Sequence, residues 1–203
     1  MPLDRELVNK VFQATKAIGK QRFAEIVQLS CNHSIIPIDP TSQEDIALIN
    51  AITKAMNNFI RTTTQTGVRY TGNRANDVGK KMEQAIIEEM RKTTITPTQL
   101  GTSGYPDLLL EFNGKKVYLE LKTSAQKKTA TTHHRLFYFT SGKKITTDAH
   151  HLMLQIQIAE EANKYWRVES WHLRDLYNLM VGLKTEWNAN YQDFEGTTLL
   201  KEG

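Results

Sequence analysis

The 203-residue chain predicts the α/β (α+β) fold class, with a helical N-terminal region. Three observations carry this. Residues 4 to 91 place apolar side chains mostly at helical spacing, residues 107 to 122 alternate them at strand spacing around an Asn-Gly pair, and further strand-like runs follow to about residue 171. With 39% hydrophobic and 24% charged residues, the chain is long enough for one well-buried domain and requires no second. We therefore expect a single domain over 1–203, with a helical region at 1–70 and a core at 76–180.

Taken in order, Leu7, Val11, Ala14, Ile18, Phe23, Ile26 and Val27 mark one bent helix or two, with Gly19 as the break. Prolines at 37 and 40 stiffen a connection, and Thr41-Ser42-Gln43-Glu44 is a capping-box signature. A helix over about 42–61 then aligns Ile46, Ile49, Ile52, Met56 and Ile60. Asp77 to Arg91 is again helical, with Val78, Met82, Ala85, Ile86 and Met90 inward. Later, His134 to Thr140, Leu152 to Ala159 and Tyr165 to Trp171 read as strands, and Leu173 to Met180 as a short helix. In the tail beyond Lys184, Trp187, Tyr191 and Phe194 offer aromatic docking points.

The segment Asp107-Leu108-Leu109-Leu110-Glu111-Phe112, then Asn113-Gly114, then Lys115 to Lys122, carries the strongest two-residue hairpin signal. If Asn113 and Gly114 form the loop, Phe112 faces Lys115, Glu111 faces Lys116 and Asp107 faces Glu120. Side chains alternate between the faces of a strand, so Leu108, Leu110, Phe112, Val117, Leu119 and Leu121 share one apolar face. Asp107, Glu120 and Lys122 lie together at the far end of the other. Two directly opposed carboxylates repel each other unless a cation lies between them, and a divalent metal resolves the conflict. Mg²⁺ suits such a pair because it keeps much of its hydration and rarely takes an all-protein cage. The bland alternative is a surface hairpin with a charge ladder, which describes Glu111 and Lys116.

Pro106-Asp107 followed by Glu120-Leu121-Lys122 resembles the PD-(D/E)xK nuclease superfamily, and more closely its type II restriction endonucleases. The resemblance covers roughly residues 76 to 180. It implies a restriction-endonuclease-like mixed central sheet flanked by helices, Mg²⁺-dependent hydrolysis of DNA phosphodiesters, and a homodimer acting on a short palindrome in double-stranded DNA. On this reading Asp107 and Glu120 bind the metal, with the main-chain carbonyl of Leu121 as a further ligand, and Lys122 is catalytic. Gly79-Lys80-Lys81-Met82-Glu83 resembles the helix that donates an additional acid in many restriction endonucleases. Glu83 is either that catalytic acid or an ordinary helix glutamate. Residues 1–70 would support dimerisation or DNA embrace.

A surplus of 26 Lys and Arg over 22 Asp and Glu, with pI near 9.1, permits an anionic partner without demanding one. Ser124, Lys127 and Lys128 in the loop after the hairpin, and Lys143 and Lys144 in a basic turn, are candidate DNA-binding residues; a solvated turn is the alternative. For some of the histidines in the doublets His133-His134 and His150-His151, phosphate or base contacts are favoured over metal, because neighbours on a strand point to opposite faces. Cys31, the single cysteine, excludes an internal disulfide and reads as a buried hydrophobe in a reducing compartment. Cys31 and His33 lack a second pair at zinc-finger spacing.

Gly72 and Gly79-Lys80 are too far apart for a phosphate loop, with Lys81 where Ser or Thr belongs. Dinucleotide-binding, zinc-protease and serine-hydrolase signatures are also absent. With a charged start and no apolar run of 18 residues, no membrane association and a cytoplasmic location are expected. Two rivals stay open: a repair or junction-resolving nuclease with the same core, and a DNA-binding protein without catalysis.

Overall fold

The computed structural model describes residues 5–73, 75–101, 104–125, 138–140, 142–161 and 164–183. The larger of two compact units spans Arg22–Leu179. Its helices are α2 (Phe23–Cys31), α3 (Gln43–Thr66) and α4 (Ala75–Arg91). Its strands are β2 (Ile35–Ile36), β3 (Tyr70–Thr71), β4 (Thr96–Gln99), β5 (Leu108–Phe112), β6 (Lys115–Ala125), β7 (Ala149–Glu160) and β8 (Tyr165–Asp175). They form one sheet in the order β3-β8-β7-β6-β5-β4, with β2 paired to β7. The β6–β7 and β2–β7 pairs are parallel and the others antiparallel, so the sheet is mixed. This is the sheet flanked by helices that the resemblance implies.

Local chemistry explains the helices. Ser42 caps α3 by accepting the Asp45 amide at 3.3 Å, and Gly67 closes it in the left-handed conformation at φ 64°. The stripe facing the sheet is Leu48, Ile52, Ala55, Met56 and Phe59, all essentially inaccessible to solvent. It is rotated from the expected one: Ile46 lies outside at 37% exposure, and Leu48 and Phe59 take the inward places. The inner stripe of α4 is the expected Val78, Met82, Ile86 and Met90, joined by Ile87. Both helices cover Leu108, Leu110, Val117, Leu119, Leu152, Leu154 and Ile156, the apolar face of the sheet. Thus α3, within the expected N-terminal region, is built into the same core as the hairpin.

The second unit is described over residues 5–21 and 180–183. It contains α1 (Arg5–Ile18) and pairs β1 (Lys20–Arg22) with β9 (Met180–Gly182). Gly19, at φ 63°, is the break expected after the first helix.

Residues 173–180 correct the sequence reading. Leu173 to Asp175 extend β8 against Leu152 to Leu154 rather than starting a helix. Asp175 then ends the strand, accepting the Tyr177 amide through Oδ1 and the Ile38 amide through Oδ2 at 2.9 Å each. Among the described residues, no helix is long and apolar enough to cross a membrane. The expected strand at 134–140 and the aromatic tail lie largely or wholly outside the described residues.

Candidate active site

The site is built on the β5–β6 hairpin. Asn113 (φ 50°) and Gly114 (φ 80°) both take positive φ, as a two-residue turn of this twist demands. The register is Leu108↔Leu119 through Phe112↔Lys115, and Asp107 is the residue immediately before this ladder, close enough for its charge to act on Glu120. Asp107 is pinned on both sides: its Oδ2 accepts the Leu121 amide at 2.8 Å, and its carbonyl accepts the Leu100 amide at 2.9 Å. Lys144 Nζ donates to the carbonyls of Gly104 at 2.6 Å and Pro106 at 2.9 Å, bracing the turn that delivers the aspartate.

Glu120 lies in the middle of β6, only 5% exposed. Lys122 Nζ stands 3.6 Å from its Oε1, and its Oε2 is buried with no hydrogen-bond partner. A buried carboxylate oxygen without a donor is costly. Burial and the neighbouring Asp107 charge push the Glu120 carboxyl up to about 7, with Lys122 opposing them. Glu83 responds to the same surroundings: burial and then the Asp107 charge raise its pKa, while Gln99 Nε2 reaches its Oε1 at 3.5 Å. The approach of α4 depends on Gly79, since a Cβ there would come within 3.0 Å of Thr123 Oγ1.

Among the described residues, no three His, Cys, Asp or Glu side chains form a ready metal cluster. Mg²⁺ needs less, one or two carboxylates with water completing its shell. The donorless Glu120 Oε2, buried beside the Asp107 charge that raises its carboxyl, is the environment a divalent cation relieves. The residues present therefore fit such an ion.

The structure brings Asp107, Glu120, Leu121, Lys122 and the electrostatic field of Glu83 to one end of the hairpin. Ser124 follows on the same face of β6, half-exposed, and Lys143 is exposed in its turn. Lys144 faces inward and is committed to the Gly104 and Pro106 carbonyls. Lys127, Lys128, His133 and His134 lie outside the described residues. The histidine expectation needs correction at 150–151: His150 is 4% exposed and pairs with the Ile36 carbonyl at 3.0 Å, and His151 is fully buried beside Tyr105, so neither offers a surface for phosphate or bases. Cys31 is half-buried, its Sγ filling the space a Cβ on Gly142 would need.

Sequence reasoning missed two supporting residues. Gln99 sits on β4, a four-residue edge strand carrying Pro97, and its signal was a proline tolerated only at an edge. Lys144 looked like one of two equivalent surface lysines, and nothing local distinguishes it from Lys143.

Comparison with known proteins places these observations in context. Residues 18–196 match the model of the type II restriction enzyme MjaV family. The type II restriction enzyme MjaV of Methanocaldococcus jannaschii is 32% identical over 210 aligned positions, covering 93% of this chain and 90% of that protein.

Proposed function

The chain belongs to the MjaV family of type II restriction enzymes, and on that premise we propose that it hydrolyses double-stranded DNA with Mg²⁺ at a short palindromic site, using Asp107, Glu120 and Lys122 as a PD-(D/E)xK centre. The observation that supports this reading is the grouping at the end of the hairpin, where the Asp107 charge acts on the buried Glu120 carboxyl and Lys122 Nζ stands 3.6 Å from its Oε1.

Asp107, Glu120 and the Leu121 carbonyl would hold the ion. When bound, it supplies a polarised scissile phosphate and a water of lowered pKa. Lys122 supplies a fixed positive charge where negative charge grows on the attacking oxygen and the pentacoordinate phosphorus. The Leu121 amide and the Lys144 brace hold Asp107 in place, so the site arrives organised rather than ordering during the reaction. A plasmid digest tests the reading: discrete fragments with Mg²⁺ and intact DNA in EDTA are expected. Smearing or damage-dependent nicking favours a repair-type nuclease, and intact DNA under both conditions a non-catalytic binder.

Glu83 is proposed as a third acid tuning the site. Glu83→Gln should raise the half-saturating Mg²⁺ concentration for cleavage by about tenfold, the scale of groups that act on a metal through its surroundings. An unchanged Mg²⁺ titration would return Glu83 to an ordinary helix position. A palindromic duplex presents two related scissile bonds, which two-fold protein symmetry matches, so a homodimer is proposed as well. Light scattering should give twice the 23.2 kDa chain mass; a monomer both free and on DNA would contradict it.

A further inference from the structure

Strands β6, β7 and β8 align Glu120 with Met153 and Arg174, Lys122 with Gln155 and His172, and Ser124 with Gln157 and Ser170. Directly opposed residues on neighbouring strands share a face, so these are three rungs on the face that carries Glu120 and Lys122. The alternate residues, Leu154, Ile156, Trp171 and Leu173, point into the core on the other side. Met153 is buried, His172 and Arg174 are exposed, and the remaining rung residues beyond Glu120 are half-exposed. Ser170 Oγ donates to Gln157 Oε1 at 2.7 Å, fixing that amide across the ladder.

A solvated sheet face needs no particular composition, but this one is selective. With Asp107 and Glu120 at one end and Met153 buried, the exposed and half-exposed rung residues on β6, β7 and β8 are amide, hydroxyl and basic groups with no further acid among them, which complements an anionic partner. They also continue the rung of Lys122 itself. Neighbouring strands lie about 4.8 Å apart, so Gln155 and His172 follow the lysine at roughly 5 and 10 Å. A duplex seated with its scissile phosphate at Lys122 extends over them.

We propose that this face is the platform on which the duplex beside the scissile phosphate lies, with Arg174 on the phosphate backbone and Gln155 and Gln157 reading base edges. The inference rests on Lys122 marking the point of cleavage. An arginine neutralises phosphate without reading sequence, whereas an amide can pair with a base edge such as adenine's in the major groove.

The test measures binding of two labelled duplexes in Ca²⁺ across a salt series, one random and one carrying the site mapped by plasmid digestion. Arg174→Ala should weaken both duplexes several-fold and reduce the salt slope by about one. Gln155→Ala and Gln157→Ala should weaken the mapped site by about tenfold or more and leave the random duplex unchanged. These side chains stand outside the core, and circular dichroism of each variant confirms its fold. Dissociation constants within twofold of the parent for all three variants, with an unchanged salt slope for Arg174→Ala, would overturn the proposal. Failure of the catalytic reading shows separately, as undiminished cleavage by Lys122→Ala. The random-duplex arm needs no mapped site, so the phosphate role of Arg174 is decided either way.

Discussion

Asp107→Ala, Glu120→Gln and Lys122→Ala should each lower single-turnover DNA cleavage by about 10³-fold or more, the scale of losing one fixed charge-stabilising group from a phosphoryl-transfer site. Folding should survive all three. Asp107→Ala forfeits one hydrogen bond to the Leu121 amide, about 1 kcal/mol. Glu120→Gln keeps the side-chain volume while removing a buried charge that faces Asp107. Lys122 is partly exposed, and its loss leaves no cavity. Circular dichroism and rapid-quench cleavage on one preparation separate misfolding from lost chemistry. Full activity in any folded variant removes that residue from the mechanism.

The second large effect is on stability in acid. His151 is buried among Phe23, Tyr105 and Tyr118, with its Nδ1 2.8 Å from the Tyr105 hydroxyl and its Nε2 without a partner. Burial, reinforced by the adjacent His150, holds its pKa down to about 3, from an ordinary 6.5. The unfolded histidine therefore takes up a proton below about pH 6.5 while the folded one stays neutral until about pH 3. Its contribution to stability is intact above 6.5 and drains away as pH falls through that window, at about 1.4 kcal/mol per pH unit.

Glu120 opposes it in the metal-free protein. Its raised carboxyl takes up a proton as pH falls below about 7, earlier than in the unfolded chain, so folding gains between 7 and 4.5. The parent should then show a shallow pH dependence from 6.5 to 4.5. His151→Gln, which retains a partner for Tyr105 but does not titrate, should gain stability relative to the parent as pH falls. Glu120→Gln should lose stability relative to it. Urea unfolding at pH 7, 6 and 5 in EDTA reads all three; parallel curves for parent and His151→Gln would show that the imidazole is not held neutral by the fold.

The hairpin was legible because its determinants are local. Asn113-Gly114 sets the turn, and the apolar side chains at alternate positions, Leu108, Leu110, Phe112, Val117, Leu119 and Leu121, mark the inner face, so Asp107 and Glu120 could be paired from sequence. The inner stripe of α4 was readable for the same reason. What escaped depends on partners distant in the chain. Leu173, Leu176 and Met180 have helical spacing, yet Leu173 pairs with Leu154 of β7, only Leu176 of the other two is buried, and Met180 is 51% exposed. The face of α3 was misjudged because Ile46 competes with Leu48 at similar spacing, and only the sheet it covers decides between them. His150 and His151 looked like surface doublets because nothing in their sequence reveals that β7 is central, with β6 on one side and β8 on the other. Lys144 belongs with them, since its partners lie 38 and 40 residues away.

The central claim, that the opposed acids of the hairpin form a divalent-cation site, is tested most directly by calorimetric titration of Ca²⁺ into the DNA-bound protein, with Asp107→Asn and Glu120→Gln alongside. The account predicts binding by the parent that weakens at least tenfold in each variant, the loss expected when a direct or supporting metal contact is removed. Equal binding by all three proteins would contradict it and place the cation elsewhere.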